Sequence, residues 1–380
     1  MMVDYKTVEY RDKMEEQYNR KIHDLLSVLP QYCSDYELFS RSRNSIKTRL
    51  EYLVDITNFF KYLVSQNPLI KSTSDVTTEI LENLNGFDWD HYLSWLSNYK
   101  FDKDDKDEKF KKNNAASKKR KMMAVKSLYH FLYVRDYISC NPSEKAVLPQ
   151  VEKKSRGSIV ILEDEQCKLF LDSIDKKYDE AKKMLYSPPT DKKLTKKDKM
   201  RPYLAIRDKA IVYLILGTGL RVSELCAINC ENIAYQLSYI NVYRKGDKDS
   251  KETTDQVYLS DEVMGVLLDY ITIARDQIGA DEDNYDALFL SSLHKRMTPR
   301  AVELMVKEYA DKALGKDNNI HPHTLRATFG TRYYRKFKDI SKTSTVMNHS
   351  GIEITAKYYV KEDENAKKEV QNMSILGDDN

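Results

Sequence analysis

Apolar positions along this chain follow two regimes. Over the first 145 residues they recur at helical spacing, whereas further on helical stretches alternate with short strand-like runs. In SIKTRLEYLVDITNFFKYLV (45–64), Leu50, Val54, Ile56, Phe60 and Leu63 lie near one helical face, and Ser45 is placed to cap it. FDWDHYLSWLSNY (87–99) carries Trp89, Tyr92, Trp95 and Leu96 on one stripe, and the charged, apolar-poor 101–114 reads as an exposed loop. ASKKRKMMAVKSLYHFLYVRDY (116–137) predicts a helix that buries Met122, Val125, Leu128, Tyr129 and Leu132. The pattern stops around Asn141-Pro142 and Pro149, so VLPQVEKKSRGS (147–158) reads as a connection between domains.

Beyond it, LEDEQCKLFLDSI (162–174) restarts a helix with Glu163 or Asp164 at its N-terminal turn. The lysine-rich stretch with Pro188-Pro189, about 178–202, predicts a surface insertion. YLAIRDKAIVYLILGTGL (203–220) reads as a buried helix ending at Gly217 and Gly219, and RVSELCAI (221–228) begins another. SYINVYR (238–244) and QVYLS (256–260) alternate like the arms of a β-hairpin, with Lys245-Gly246-Asp247-Lys248 opening the connection. Helices are expected from Ser260 to the end. The fold class that results is mainly α with a small antiparallel β-hairpin. It divides into an all-helical domain over 1–148, a linker over 149–158 and a mixed α/β domain over 159–380 with a C-terminal helix.

Charge changes this picture only through its placement. The 62 basic residues nearly balance 59 acidic ones, for a net charge of +3, so any polyanion-binding face must come from clustering. Lys111 to Lys126 holds seven basic residues and no acidic one. Lys118, Lys119, Arg120 and Lys121 crowd the start of a predicted helix, where free backbone N–H groups also attract phosphate. No apolar run approaches the roughly 18–20 residues that cross a bilayer, and MMVDYKTVEY lacks an apolar signal core, which predicts a cytoplasmic protein without membrane contact. Five cysteines without a C-x-x-C suggest neither a disulfide framework nor a zinc site. Cys226 and Cys230, one helical turn apart, read as small residues beside a core.

Four features of the second half resemble the tyrosine recombinase (phage integrase) family, in that family's order. GTGLRVSEL (217–225) matches its first arginine junction. Lys245 in YRKGDK follows that arginine by 24 residues, as the family's hairpin lysine does by a little over twenty. HTLRATFGT (323–331) matches its H-x-L-R motif, and MNHSGIEITAKYY (347–359) its G-H-S…Y segment, in which tyrosine follows histidine by nine residues. The resemblance extends more loosely to the first half, which looks like the family's core-binding domain. It departs from the pattern at Met347-Asn348, where Leu-Gly is common, and at Ala327, where a second histidine is common; both read as packing changes.

The resemblance implies a catalytic set of Arg221, Lys245, His323, Arg326, His349 and Tyr358, with Glu224 holding the junction and Lys118, Lys119, Arg120 and Lys121 on DNA. Lys248 and Tyr359 are the rivals of Lys245 and Tyr358. A tyrosine hydroxyl, with a pKa of about 10, is a weak nucleophile at neutral pH, so two permanently charged arginine forks on the phosphate oxygens have a clear use. Lys245, its pKa lowered beside the arginines, would protonate the leaving 5′-oxygen. His323 would serve as general base or phosphate donor, and His349 as a further donor. The bond energy stays in a 3′-phosphotyrosyl link, and with no P-loop or metal-spaced carboxylates in view, neither ATP nor a metal nor another cofactor is expected.

The implied partners are double-stranded DNA recombination sites, a homotetramer that exchanges its C-terminal segments on DNA, and accessory DNA-bending or directionality proteins. The first residues are too few and too helical for the arm-binding domain of some integrases, so an Xer-like architecture and a chain shortened at its start both stay open. A DNA relaxase like type IB topoisomerases, and a DNA-binding regulator that does not cut, are the alternatives.

Overall fold

The computed structural model describes residues 10–100, 111–151, 160–187, 195–243 and 254–348. The chain divides into two compact units, Met1–Lys153 and Lys154–Asn380, with the division inside 149–158.

The N-terminal unit is built from α1 (Tyr10–Leu26), α2 (Gln31–Ser40), α3 (Ile46–Gln66), α4 (Thr78–Glu82), α5 (Gly86–Trp95) and α6 (Ala115–Val134). A two-residue ladder, β1 (Asn98–Tyr99) against β2 (Lys111–Lys112), precedes α6. Ser45 caps α3 by accepting from the Thr48 N–H at 3.3 Å. The buried face of α3 includes the expected Ile56, Phe60 and Leu63, with Leu50 partly buried against the same core; it adds Leu53 and Phe59, while Val54 is 40% exposed. Its aromatic side chains decide this. Phe59 stacks on Trp89 at 5.6 Å and meets Tyr92 at 4.9 Å, and Trp89 packs edge-on to Tyr129 of α6 at 5.4 Å. Two of the polar tips are satisfied, Trp89 Nε1 donating to Pro142 O (2.9 Å) and Tyr129 OH to Leu81 O (2.9 Å), whereas the buried Tyr92 OH has no hydrogen-bond partner among the described residues. Helix α5 stops at Trp95 rather than Tyr99, because the chain turns there into the short ladder.

The C-terminal unit begins with α7 (Asp164–Tyr186), and α8 (Lys196–Thr218) packs along it; α9 (Val222–Ala227) follows. The expected insertion over 178–202 is therefore much narrower. Helix α7 continues through Tyr178 and Ala181, both buried, and α8 starts at a Thr195–Asp198 capping box and runs through Pro202. Three strands, β3 (Ile233–Ala234), β4 (Tyr239–Tyr243) and β5 (Thr254–Tyr258), form an antiparallel sheet in that order. The hairpin arms pair Tyr239 with Tyr258 and Tyr243 with Thr254, and β3 is a strand the alternation did not reveal. Helix α10 (Asp261–Asp269) leads through a π-helical turn, Tyr270–Arg275, into α11 (Asp276–Ile278). Helices do not continue unbroken to the last described residue. Residues 279–298 are irregular and are pinned by buried Arg296, which donates to Cys226 O, Ile228 O and Asn229 Oδ1. Helices α12 (Pro299–Leu314), α13 (Pro322–Phe337) and α14 (Ile340–Met347) then complete the unit. Cys226 and Cys230 are not on one helix, since α9 ends at Ala227.

Candidate active site

Arg221 sits in the turn between α8 and α9, and two glycines make that turn. Gly217 lies against α10, where an added Cβ would come within 2.5 Å of Val263 Cγ2. Gly219 ends α8 in the left-handed region (φ 67°), and a Cβ there would lie 2.5 Å from Phe329 Cδ1 and 3.0 Å from Met347 Sδ. Only a residue without a side chain fits between α8, α13 and α14. Arg221 then starts α9. Its N–H donates to Glu224 Oε2 at 2.8 Å and its Nη1 to Glu224 Oε1 at 2.7 Å, while Nη2 donates to Asn348 O at 2.7 Å. Buried Glu224 thus holds both the backbone and the side chain of Arg221, whose side chain keeps 33% exposure.

His323 and Arg326 lie three residues apart on the first turns of α13 and so share a face. The helix starts with Pro322 behind His321, whose ring Nδ1 accepts from the Thr324 N–H at 3.1 Å. Arg326 is buried. Its Nη1 donates to Gly219 O and its Nη2 to Met347 O. The ring of His323 reaches solvent, yet the protein around it, then the neighbouring His321 and Arg326, hold its pKa below the ordinary histidine value; Glu303 opposes this and Arg221 adds to it. The neutral imidazole is therefore favoured, as a general base requires.

Three motifs spread over more than a hundred residues thereby meet. The two arginines grip consecutive carbonyls, Met347 and Asn348, immediately before His349 in the sequence, and Arg326 also grips the turn that carries Arg221. A guanidinium carries five N–H donors in a planar fork, a geometry that matches the oxygens of a phosphate. Lys245, Lys248, His349, Tyr358 and Tyr359 lie outside the described residues. The contribution of residues 347 and 348 was not visible in the sequence, where they counted only as departures from a pattern. Asn348 is left-handed (φ 45°, ψ 59°), the conformation glycine takes most readily and asparagine next. The departure thus puts at this position a residue type that, after glycine, adopts the left-handed conformation most readily.

In the N-terminal unit the basic cluster at the start of α6 is partly committed to the fold. Lys121 Nζ lies 2.7 Å from Asp55 Oδ1 and Arg120 Nη1 2.8 Å from Asp55 Oδ2, and Asp55 is 1% exposed. Lys118 donates to Ser97 Oγ at 3.0 Å, and Lys119 is exposed. A second basic group, missed in the sequence, surrounds α2 and α3: Arg41 and Arg49 pair with buried Glu37, and Arg43 stacks on Phe39 at 3.7 Å. Among the described residues no helix is long and apolar enough to cross a membrane.

Comparison with known proteins places this arrangement. Residues 190–365 match the phage integrase family. The chain is 27% identical over 347 residues to the tyrosine recombinase XerC of Caldanaerobacter subterraneus subsp. tengcongensis, covering 89% of this chain and 83% of that protein. It is 26% identical over 367 residues to the tyrosine recombinase XerS of Streptococcus equi subsp. equi, covering 89% and 94%. The fold is shared with the Tn1549 transposon integrase in complex with a circular intermediate DNA (TM-score 0.59, 18% identity, 90% of this chain and 99% of that one). It is also shared with the XerH site-specific recombinase bound to its difH substrate (TM-score 0.55, 18% identity, 87% and 79%). Residues 190–365 thus carry a phage integrase family domain, and the relatives that match along most of the chain are tyrosine recombinases, enzymes that break and rejoin DNA strands.

Proposed function

We propose that this chain recombines specific DNA sites through a covalent 3′-phosphotyrosine intermediate. The observation that carries the reading is the meeting of Arg221 and Arg326 at residues 347 and 348, next in sequence to His349 and ten residues before Tyr358. Tyr358 Oη attacks the scissile phosphorus, the bond to the 5′-oxygen breaks, and Lys245 gives that oxygen its proton. Arg221 and Arg326 stabilise the charge that builds on the non-bridging oxygens, and each such preorganised donor contributes on the order of 3–4 kcal/mol. His323, held neutral, accepts the proton of the tyrosine hydroxyl or hydrogen-bonds the phosphate, and His349 supplies a further donor. Reversal by a 5′-hydroxyl rejoins the strand. The helical N-terminal unit takes the role of core-binding domain, with Lys119 the most available of its four basic candidates. The relatives named as Xer recombinases, and the recombinases solved on DNA that share the fold, support this assignment. Four chains would act on two duplexes through a Holliday junction, with C-terminal segments exchanged around the ring.

A duplex nicked beside the scissile phosphate traps the intermediate. A protein–DNA adduct that Tyr358→Phe abolishes is the expected result, and its absence with wild-type protein under tight-binding conditions overturns the reading. Holliday junctions formed from two sites distinguish recombination from simple relaxation.

A further inference from the structure

We propose that Asn348 is a positioning residue for DNA cleavage, its left-handed turn aiming two consecutive carbonyls into Arg326 and Arg221. The inference rests on the strand-cleavage reading above and deepens it. Helix α14 ends on buried Met347, whose sulfur lies under Gly219; the Met347 carbonyl receives Arg326 Nη2. One residue on, at φ 45° and ψ 59°, the Asn348 N–H closes back on Thr345 O (3.0 Å) while its carbonyl accepts from Arg221 Nη2 (2.7 Å). Arg326 Nη1 in turn holds Gly219 O, two residues before Arg221. The contacts form a closed ring: Gly219 to Arg326, Arg326 to Met347, Asn348 to Arg221, and the chain from Arg221 back to Gly219. A single backbone conformation at Asn348 therefore sets the direction of both guanidinium groups. An extended backbone at 348 would turn the two carbonyls to opposite sides and take one of them away from its arginine.

Glycine tolerates this conformation freely, alanine less so, and a β-branched residue least of all. The full-length protein and its variants Asn348→Gly, Asn348→Ala and Asn348→Val separate a positioning role from a helix cap that serves α14 alone. Single-turnover adduct formation on the nicked duplex should stay within about twofold of wild type for the glycine variant. It should fall about tenfold or more for the valine variant, the factor that roughly 1–2 kcal/mol of misplacement corresponds to. DNA affinity should change less than about threefold, because phosphates elsewhere dominate binding. Hydrogen exchange on the DNA-free protein gives a readout that does not depend on cleavage. Asn348→Val should speed exchange at residues 219–222 as well as at 344–348. Wild-type cleavage by the valine variant, or faster exchange confined to 344–348, overturns the proposal. If wild-type protein forms no adduct, the cleavage reading falls, and exchange at 219–222 alone decides whether Asn348 sets the arginines.

Discussion

In the N-terminal unit, buried Asp55 meets Lys121 and Arg120 and buried Glu37 meets Arg49 and Arg41, whereas in the C-terminal unit buried Arg326 is met by the backbone carbonyls of Gly219 and Met347. The two solutions leave different chemistry behind. A carboxylate cancels the charge of the basic groups around it, so Asp55 turns Lys121 and part of Arg120 into struts between α3 and α6. A carbonyl orients a guanidinium through its dipole without cancelling the charge, and a preorganised cation is what a phosphate in its transition state needs. Arg221 stands between these cases. Glu224 fixes it on one side, Asn348 O on the other, and a third of its side chain remains exposed. Basic residues of similar appearance in the sequence thus meet carboxylates at α3 and α6 and backbone carbonyls at the turn before α9.

That contrast can be broken most forcefully at Arg326. Arg326→Ala should lower the rate of adduct formation by about 100-fold to 1,000-fold, as loss of one preorganised donor does. Lys121→Ala should leave the rate on bound DNA within a few-fold. Equal losses in single-turnover assays would erase the distinction.

A smaller effect, on stability rather than rate, is expected at Asp55. Asp55→Ala leaves Lys121, itself only 12% exposed, without its buried counter-charge. The unfolding free energy should fall by about 3 kcal/mol, the lower end for breaking a buried pair when one of the two bases, Arg120, can turn to solvent. Released from the carboxylate, Lys121 and Arg120 should keep or raise DNA affinity and steepen its salt dependence. Urea titration and binding at several salt concentrations read the two effects. Unchanged stability, or a large loss of affinity in folded protein, would show that the pair is not a strut.

The smallest expected effect concerns His323 and refines the description of the C-terminal unit. Its folded pKa lies below the ordinary 6.5. Above that value the imidazole is neutral in folded and unfolded chains alike and contributes nothing to pH dependence. As pH falls beneath it, the unfolded chain takes up the proton first, so the folded state loses stability through the window below 6.5. His323→Gln should flatten that part of the profile between pH 7 and 5. An identical slope in the variant would mean that neither burial nor the positive neighbours hold the His323 pKa down in the folded chain.

Much of the site was readable because its local structure is coded locally. Gly219 and Ser45 announce a helix end and a helix start through conformations and hydrogen bonds completed within a few residues. The three-residue step from His323 to Arg326 puts both on one helical face wherever the helix lies. The buried face of α3 took in Leu53 and Phe59 and left out Val54, and α8 ran through Pro202, because aromatic packing and burial outweigh spacing and a single missing N–H. Residues 279–298 broke the expected run of helices, and Arg296 with its distant carbonyl partners holds that irregular backbone together.

The sequence by itself determined the mainly helical class with its hairpin, the family resemblance, and the order of residues that cleavage chemistry would need. The tertiary structure alone decided which distant groups the cations meet. Lys121 finds Asp55 across 66 residues, and Arg221 finds the Asn348 carbonyl across 127. Periodicity and capping act over one or two helical turns. Charge cancellation depends instead on which segments are brought within hydrogen-bond distance when the chain packs, and nothing in the spacing of lysines, arginines or carboxylates records that.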